Sequence, residues 1–88
     1  MTPDEILIEA ARLVGGERSK KHGEYVAQHQ RVADLWSAYL GVEVSAANVA
    51  FCMTLIKISR SEIGEHNPDD GVDAAAYVAL WAALSRES

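Results

Sequence analysis

"VAFCMTLIKI", residues 49–58, is apolar on almost every side of a helix, and Lys57 is its one charge. A surface helix keeps a polar face, so a run apolar all round predicts a helix surrounded by neighbours. It is the expected centre of an all-α domain. Ser45, just upstream, is placed to cap it.

Outward from this run the periodicity stays helical and strand signals are nearly absent. Thr2, Pro3 and Glu5 form a start signal, with Thr2 as cap, Pro3 at the first helical position and T-x-x-E as a capping box. Ile6, Ala10, Leu13 and Val14 then mark an apolar face, and Gly15-Gly16 ends it. The polar stretch "ERSKKHGEY" is expected to be a loop leading into a second helix. That helix carries Tyr25, His29, Val32, Trp36, Tyr39 and Leu40 at three- and four-residue steps until Gly41. After Asn67-Pro68, Asp69 or Asp70 is the expected cap of a fourth helix, "VDAAAYVALWAAL", whose alanines permit close approach of a neighbour. The expected fold is a compact four-helix bundle in one domain, residues 1–88.

A chain of 88 residues buries only about 60 to 65% of the surface it exposes when unfolded, so its core is small and a homo-oligomer would enlarge it. With 49% apolar and 24% charged residues it is too apolar for disorder. A net charge of −5 argues against a nucleic-acid partner, whose phosphates call for excess Lys and Arg. Cys52 is the only cysteine, which excludes an internal disulfide and a CxxC metal site and suggests a buried, reduced thiol. The N-terminus lacks a basic signal-peptide region, and no run of about 18 apolar residues is free of charge. The expected location is therefore the cytoplasm, with no membrane partner.

The chemistry concentrates between the third and fourth helices, in "KISRSEIGEHNPDDGVDAAAY", residues 57–77. Lys57 and Arg60 lie one turn apart at the end of one helix, and Asp73 and Tyr77 lie four apart at the start of the next. Antiparallel packing, which a short connection favours, brings both pairs to one end. Two roles fit Lys57 and Arg60: neutralising their helix's C-terminal carbonyls, or lining a site. Asp69 and Asp70 are read as caps and first-turn acids, whereas Asp73 fits a cap or a site equally. His22 and His66 lack a partner at metal-ligand spacing and are read as loop residues. His29 suits a satisfied core or interface histidine, and Trp36 and Trp81 suit core or subunit-interface anchors.

"RSKKHGEYVAQHQRVADLWSAYLG" and "VAFCMTLIKISRSEIGEHNPDDGVDAAAYVAL" together resemble a family of small all-α proteins found mostly in bacteriophages and prophages. The shared pattern is HG[DE], then A-x-L-W, then M-x-L-x-K-I-x-R, then a histidine-containing loop with Asn-Pro, then V-D-A-x-x-Y. It covers residues 18–84. That family is similar, more distantly, to the MazG-like nucleotide pyrophosphohydrolases, helical oligomers that bind nucleoside triphosphates with magnesium. Those enzymes hold Mg²⁺ with ExxE on one helix and ExxD on the next. Here the second helix has Glu24 and Asp34 but no ExxE, and the central helix has no carboxylate before Glu62.

The resemblance therefore implies nucleotide binding without cleavage, including sequestration of a host nucleotide or a nucleotide immune signal. Lys57 and Arg60 would meet phosphates, Asp73 a sugar hydroxyl or base edge, and Tyr77 would stack. Lys21, His22, Glu24 and His66 complete the expected ligand-binding set. No catalytic residue and no metal ligand is assigned. One alternative is a divergent pyrophosphohydrolase whose Mg²⁺ site is rebuilt from Glu24, Asp34, Asp69, Asp70 and Asp73. Another is a helical module that binds a protein through one apolar face.

Overall fold

A computed structural model of the chain describes residues 1–15 and 22–87, with the side chains of residues 22–24 and 87 left out. It contains four helices: α1 (Pro3–Gly15), α2 (His22–Leu40), α3 (Ala46–Ser61) and α4 (Pro68–Glu87). Among the described residues there is no strand.

Three of the four helix starts have a local cause. At α1 the expected capping box is complete: the Thr2 N–H donates to Glu5 Oε1 at 2.9 Å, and the Glu5 N–H donates to Thr2 Oγ1 at 3.3 Å. Ser45 caps α3 in extended conformation and accepts from the Asn48 N–H at 3.1 Å. Gly41, at φ +73°, stops α2. Two expectations need correction. The cap of α4 is Asn67, whose Oδ1 accepts from the Asp69 N–H at 3.0 Å. Pro68 explains the shift: it suits the first helical position, and it drives the preceding residue into the extended conformation a cap requires. The second correction concerns the stretch read as a loop, because α2 already begins at His22 and places Gly23 within its first turn.

Helices α3 and α4 form an antiparallel hairpin and make the most extensive contact in the molecule; α1 lies against α4 and α2 against α3. Ala47, Ala50, Leu80 and Leu84 form the seam, on which Val14 of α1 and Tyr25 and Val26 of α2 also pack. A second cluster joins Ala10 to Val72 and Ala76. Helices α1 and α2 thus cover one face of the hairpin, giving two layers rather than a closed bundle around α3. The molecule is correspondingly flat, 19 Å along its shortest axis against 39 and 32 Å along the other two.

The alanines act as expected. Ala50 is completely buried, and Ala47 and Ala76 are nearly so, which lets the two backbones approach closely. Helix α3 is not surrounded, however. Its buried residues Ala47, Val49, Ala50 and Thr54 lie on two sides, while Phe51, Leu55 and Ile58 face outward. Cys52, expected to be buried, is half-exposed. Its side of α3 lies next to that uncovered stripe.

Candidate ligand-binding site

Antiparallel packing brings the end of α3 against the start of α4, and two ion pairs cross the seam there. Lys57 Nζ lies 3.2 Å from Asp73 Oδ2, with the lysine side chain 16% exposed and the aspartate 35%. One turn on, Arg60 Nε lies 4.0 Å from Asp70 Oδ1, with the arginine 60% exposed and the carboxylate 9%. A step of three forward along α3 is matched by a step of three back along α4, as an antiparallel register requires.

The two pairs differ chemically. Lys57 is largely sheltered and close to its partner, so its ammonium is committed to Asp73. The Arg60 guanidinium projects into solvent at a longer distance, which leaves most of its five N–H donors open. The nearly buried Asp70 carboxylate is the negative charge that faces it across the seam.

Of the residues expected to form a site, the structure brings Lys57, Arg60 and Asp73 together and adds Asp70. Asp70 was read as a cap or first-turn acid, and otherwise as a magnesium ligand in the hydrolase alternative. The register contained the missing signal: if Lys57 faces Asp73, then Arg60 must face Asp70. Tyr77 is one turn beyond Asp73, half-buried against the seam cluster of Ala47, Ala50, Leu80 and Leu84. It therefore serves packing at the site's inner edge. His66 is exposed in the connection, as are Glu62, Glu65 and Asp69, so the polar residues of this turn do not all converge. Lys21 and the side chains of His22 and Glu24 lie outside the described residues.

His29 is satisfied within its helix, with Nδ1 donating to the Tyr25 carbonyl at 2.8 Å. Trp81 contacts Phe51, their ring centroids 5.5 Å apart, on the side of the hairpin that α1 and α2 leave uncovered. Among the described residues, no three His, Cys, Asp or Glu side chains gather where they could hold a metal ion. Asp70 and Asp73 instead face cations, an arrangement that does not fit a magnesium cage. No helix among the described residues is long and apolar enough to cross a membrane.

These features define a small all-helical protein whose central hairpin is clasped at one end by two ion pairs. The chain belongs to the family described as Domain of unknown function (DUF6378), whose profile matches residues 5–85. Its relatives include the Gene 55 protein of Mycobacterium phage L5, 37% identical over 76 residues, or 85% of this chain and 49% of that protein. The Gene 55 protein of Mycobacterium phage D29 is 39% identical over 74 residues, 84% of this chain and 49% of that one. The chain spans about half the length of the curated relatives it matches. No solved structure matches. The expected kinship with phage proteins is met; these findings do not extend to the MazG-like enzymes.

Proposed function

We propose that the protein binds a nucleotide or nucleotide-derived small molecule at the ion-paired end of α3 and α4 and holds it without cleaving it. The observation that carries this reading is the state of Arg60, a guanidinium facing the nearly buried Asp70 yet with its donors turned to solvent. Such a group can accept a phosphate bidentately without unfolding anything around it. Lys57 stays paired with Asp73 one turn away, and the second carboxylate oxygen of Asp73 offers an acceptor for a sugar hydroxyl or base edge.

Similarity to phage proteins supports a setting in the host bacterial cytoplasm, where sequestering a host nucleotide or a nucleotide immune signal would serve a phage. In this reading the protein works as a homo-oligomer with a distant MazG-like ancestry, and magnesium is not needed for binding.

The test is calorimetric titration of the protein with mono-, di-, tri- and cyclic nucleotides and ADP-ribose derivatives, analysing the recovered small molecule for cleavage. Binding of an intact nucleotide that weakens at least about tenfold in Arg60→Ala, a loss of about 1.4 kcal/mol, is expected. Absence of binding across the panel, or binding indifferent to Arg60→Ala, rejects the reading. Magnesium-dependent cleavage would replace it with the hydrolase.

A further inference from the structure

We infer that the uncovered face of the α3–α4 hairpin is the dimerisation surface of this chain, and that its occupant is a second copy docked face to face. Phe51, Leu55 and Ile58 form a stripe along α3, and Val78 and Trp81 continue it on α4. The Phe51–Trp81 ring contact joins the two stripes into one patch. Both α1 and α2 pack on the opposite side of the hairpin, so none of the described residues covers this patch.

Area supports a partner of this size. The chain exposes 6208 Å², whereas a monomeric protein of its 9.6 kDa mass exposes about 5,100 Å². The excess of about 1,100 Å², taken over the whole chain, is larger than the roughly 800 Å² that each partner contributes to a standard interface. The radius of gyration agrees, at 13.8 Å against about 12 Å for a compact domain of this length. The internal core also falls short: five of the nine buried apolar residues among those described are alanines, which bury little area each.

Chemistry favours a second copy over a charged partner. The stripe positions of α3, Phe51, Leu55 and Ile58, carry no charge, Lys57 and Arg60 being turned to the ion pairs, and along α4 none occurs from Ala74 through Val78 and Trp81 to Ser85. A basic or acidic protein would find no charge here to pair with. Two copies at −5 each repel in general, and an uncharged, aromatic-bearing patch is where they can meet. The antiparallel hairpin can pair with itself about a two-fold axis, as an isologous interface requires. The patch shares no residue with the two ion pairs, so it deepens the homo-oligomer of the proposed function without depending on nucleotide binding, and a nucleotide titration does not bear on it.

Sedimentation velocity of the full chain tests it. The expected species has twice the 9.6 kDa chain mass. Leu55→Glu and Val78→Glu should each raise the dimer Kd by at least about 100-fold with an unchanged helical circular dichroism spectrum. Leu35→Glu, on an exposed position of α2, should leave it unchanged. A wild-type chain that stays monomeric up to roughly 100 µM overturns the inference, because an interface of this kind should reach micromolar affinity or better. So does a dimer indifferent to both hairpin substitutions or abolished by Leu35→Glu.

Discussion

Lys57 and Asp73 meet across the seam at 3.2 Å, one turn from the Arg60–Asp70 pair, and together they specify how α3 lies along α4. Sliding α4 by one turn in one direction would set Lys57 against Asp70 and Arg60 against Asn67. The opposite slide would set Arg60 against Asp73 and Lys57 against Ala76. Each slip keeps one pair at most, so only the observed register keeps both. An alanine seam alone discriminates weakly between registers, because one small residue resembles the next; the ion pairs supply the discrimination.

The sheltered pair should therefore couple measurably. Lys57→Ala and Asp73→Ala are each expected to cost about 1 to 2 kcal/mol, between exposed pairs and fully buried ones. The double variant should cost less than their sum, with a coupling of about 1 kcal/mol. Urea unfolding of the four proteins measures it, and a coupling within about 0.3 kcal/mol of zero would show that the register rests on the alanines.

Arg60 should separate stability from binding. Its side chain is mostly solvated, so Arg60→Ala should change unfolding free energy by no more than about 1 kcal/mol. Asp70→Ala removes a nearly buried carboxylate and should cost more than Arg60→Ala in the same melts. Equal costs, or a larger one for Arg60→Ala, would mean that the guanidinium is structural rather than available to a ligand.

Much of the fold was legible because its signals are local. The capping box at Thr2, the cap at Ser45 and the stop at Gly41 depend only on nearby residues, and all three are where the sequence puts them. The cap of α4 was misplaced because Asp69 and Asp70 are good caps in isolation; the effect of Pro68 on Asn67 decides between them. What failed was the inference from apolar periodicity to burial. The apolar run in α3 reads alike whether its outer stripe meets another helix of this chain, another copy or water, and no local rule separates those cases. That Lys57, Arg60 and Asp73 come to one end was legible because antiparallel packing follows from a short connection. Asp70 required the register as well.

The seam should tolerate neither enlargement nor truncation. Ala50 is completely buried in the seam cluster, so Ala50→Val must push its neighbours apart and should cost about 1 to 3 kcal/mol. Leu84→Ala leaves a cavity at another member of the same cluster and should cost about 2 to 5 kcal/mol. Chemical denaturation checks both. A neutral Ala50→Val would mean that the alanine seam is loose and the close approach of α3 and α4 has another cause.

The capping box at α1 carries a pH signature whose sign follows from its geometry. The Glu5 carboxylate accepts from the Thr2 backbone N–H and then from its hydroxyl at 2.8 Å, and both bonds hold its pKa below the ordinary 4.5, the backbone bond having the larger effect. A carboxyl whose pKa is lower folded than unfolded stabilises the folded state above its unfolded pKa. That contribution is lost as pH falls through the folded value. The start of α1 should therefore be most secure at neutral pH and loosen in acid below about 4.5. Carboxyl chemical shifts followed by NMR should place the Glu5 midpoint below that of the same residue in an unfolded peptide. Thr2→Val removes the hydroxyl but keeps the N–H, and should return the midpoint only part of the way. A wild-type midpoint equal to the peptide's would mean that the box is open in solution, and complete reversal in Thr2→Val would mean that the backbone bond does not contribute.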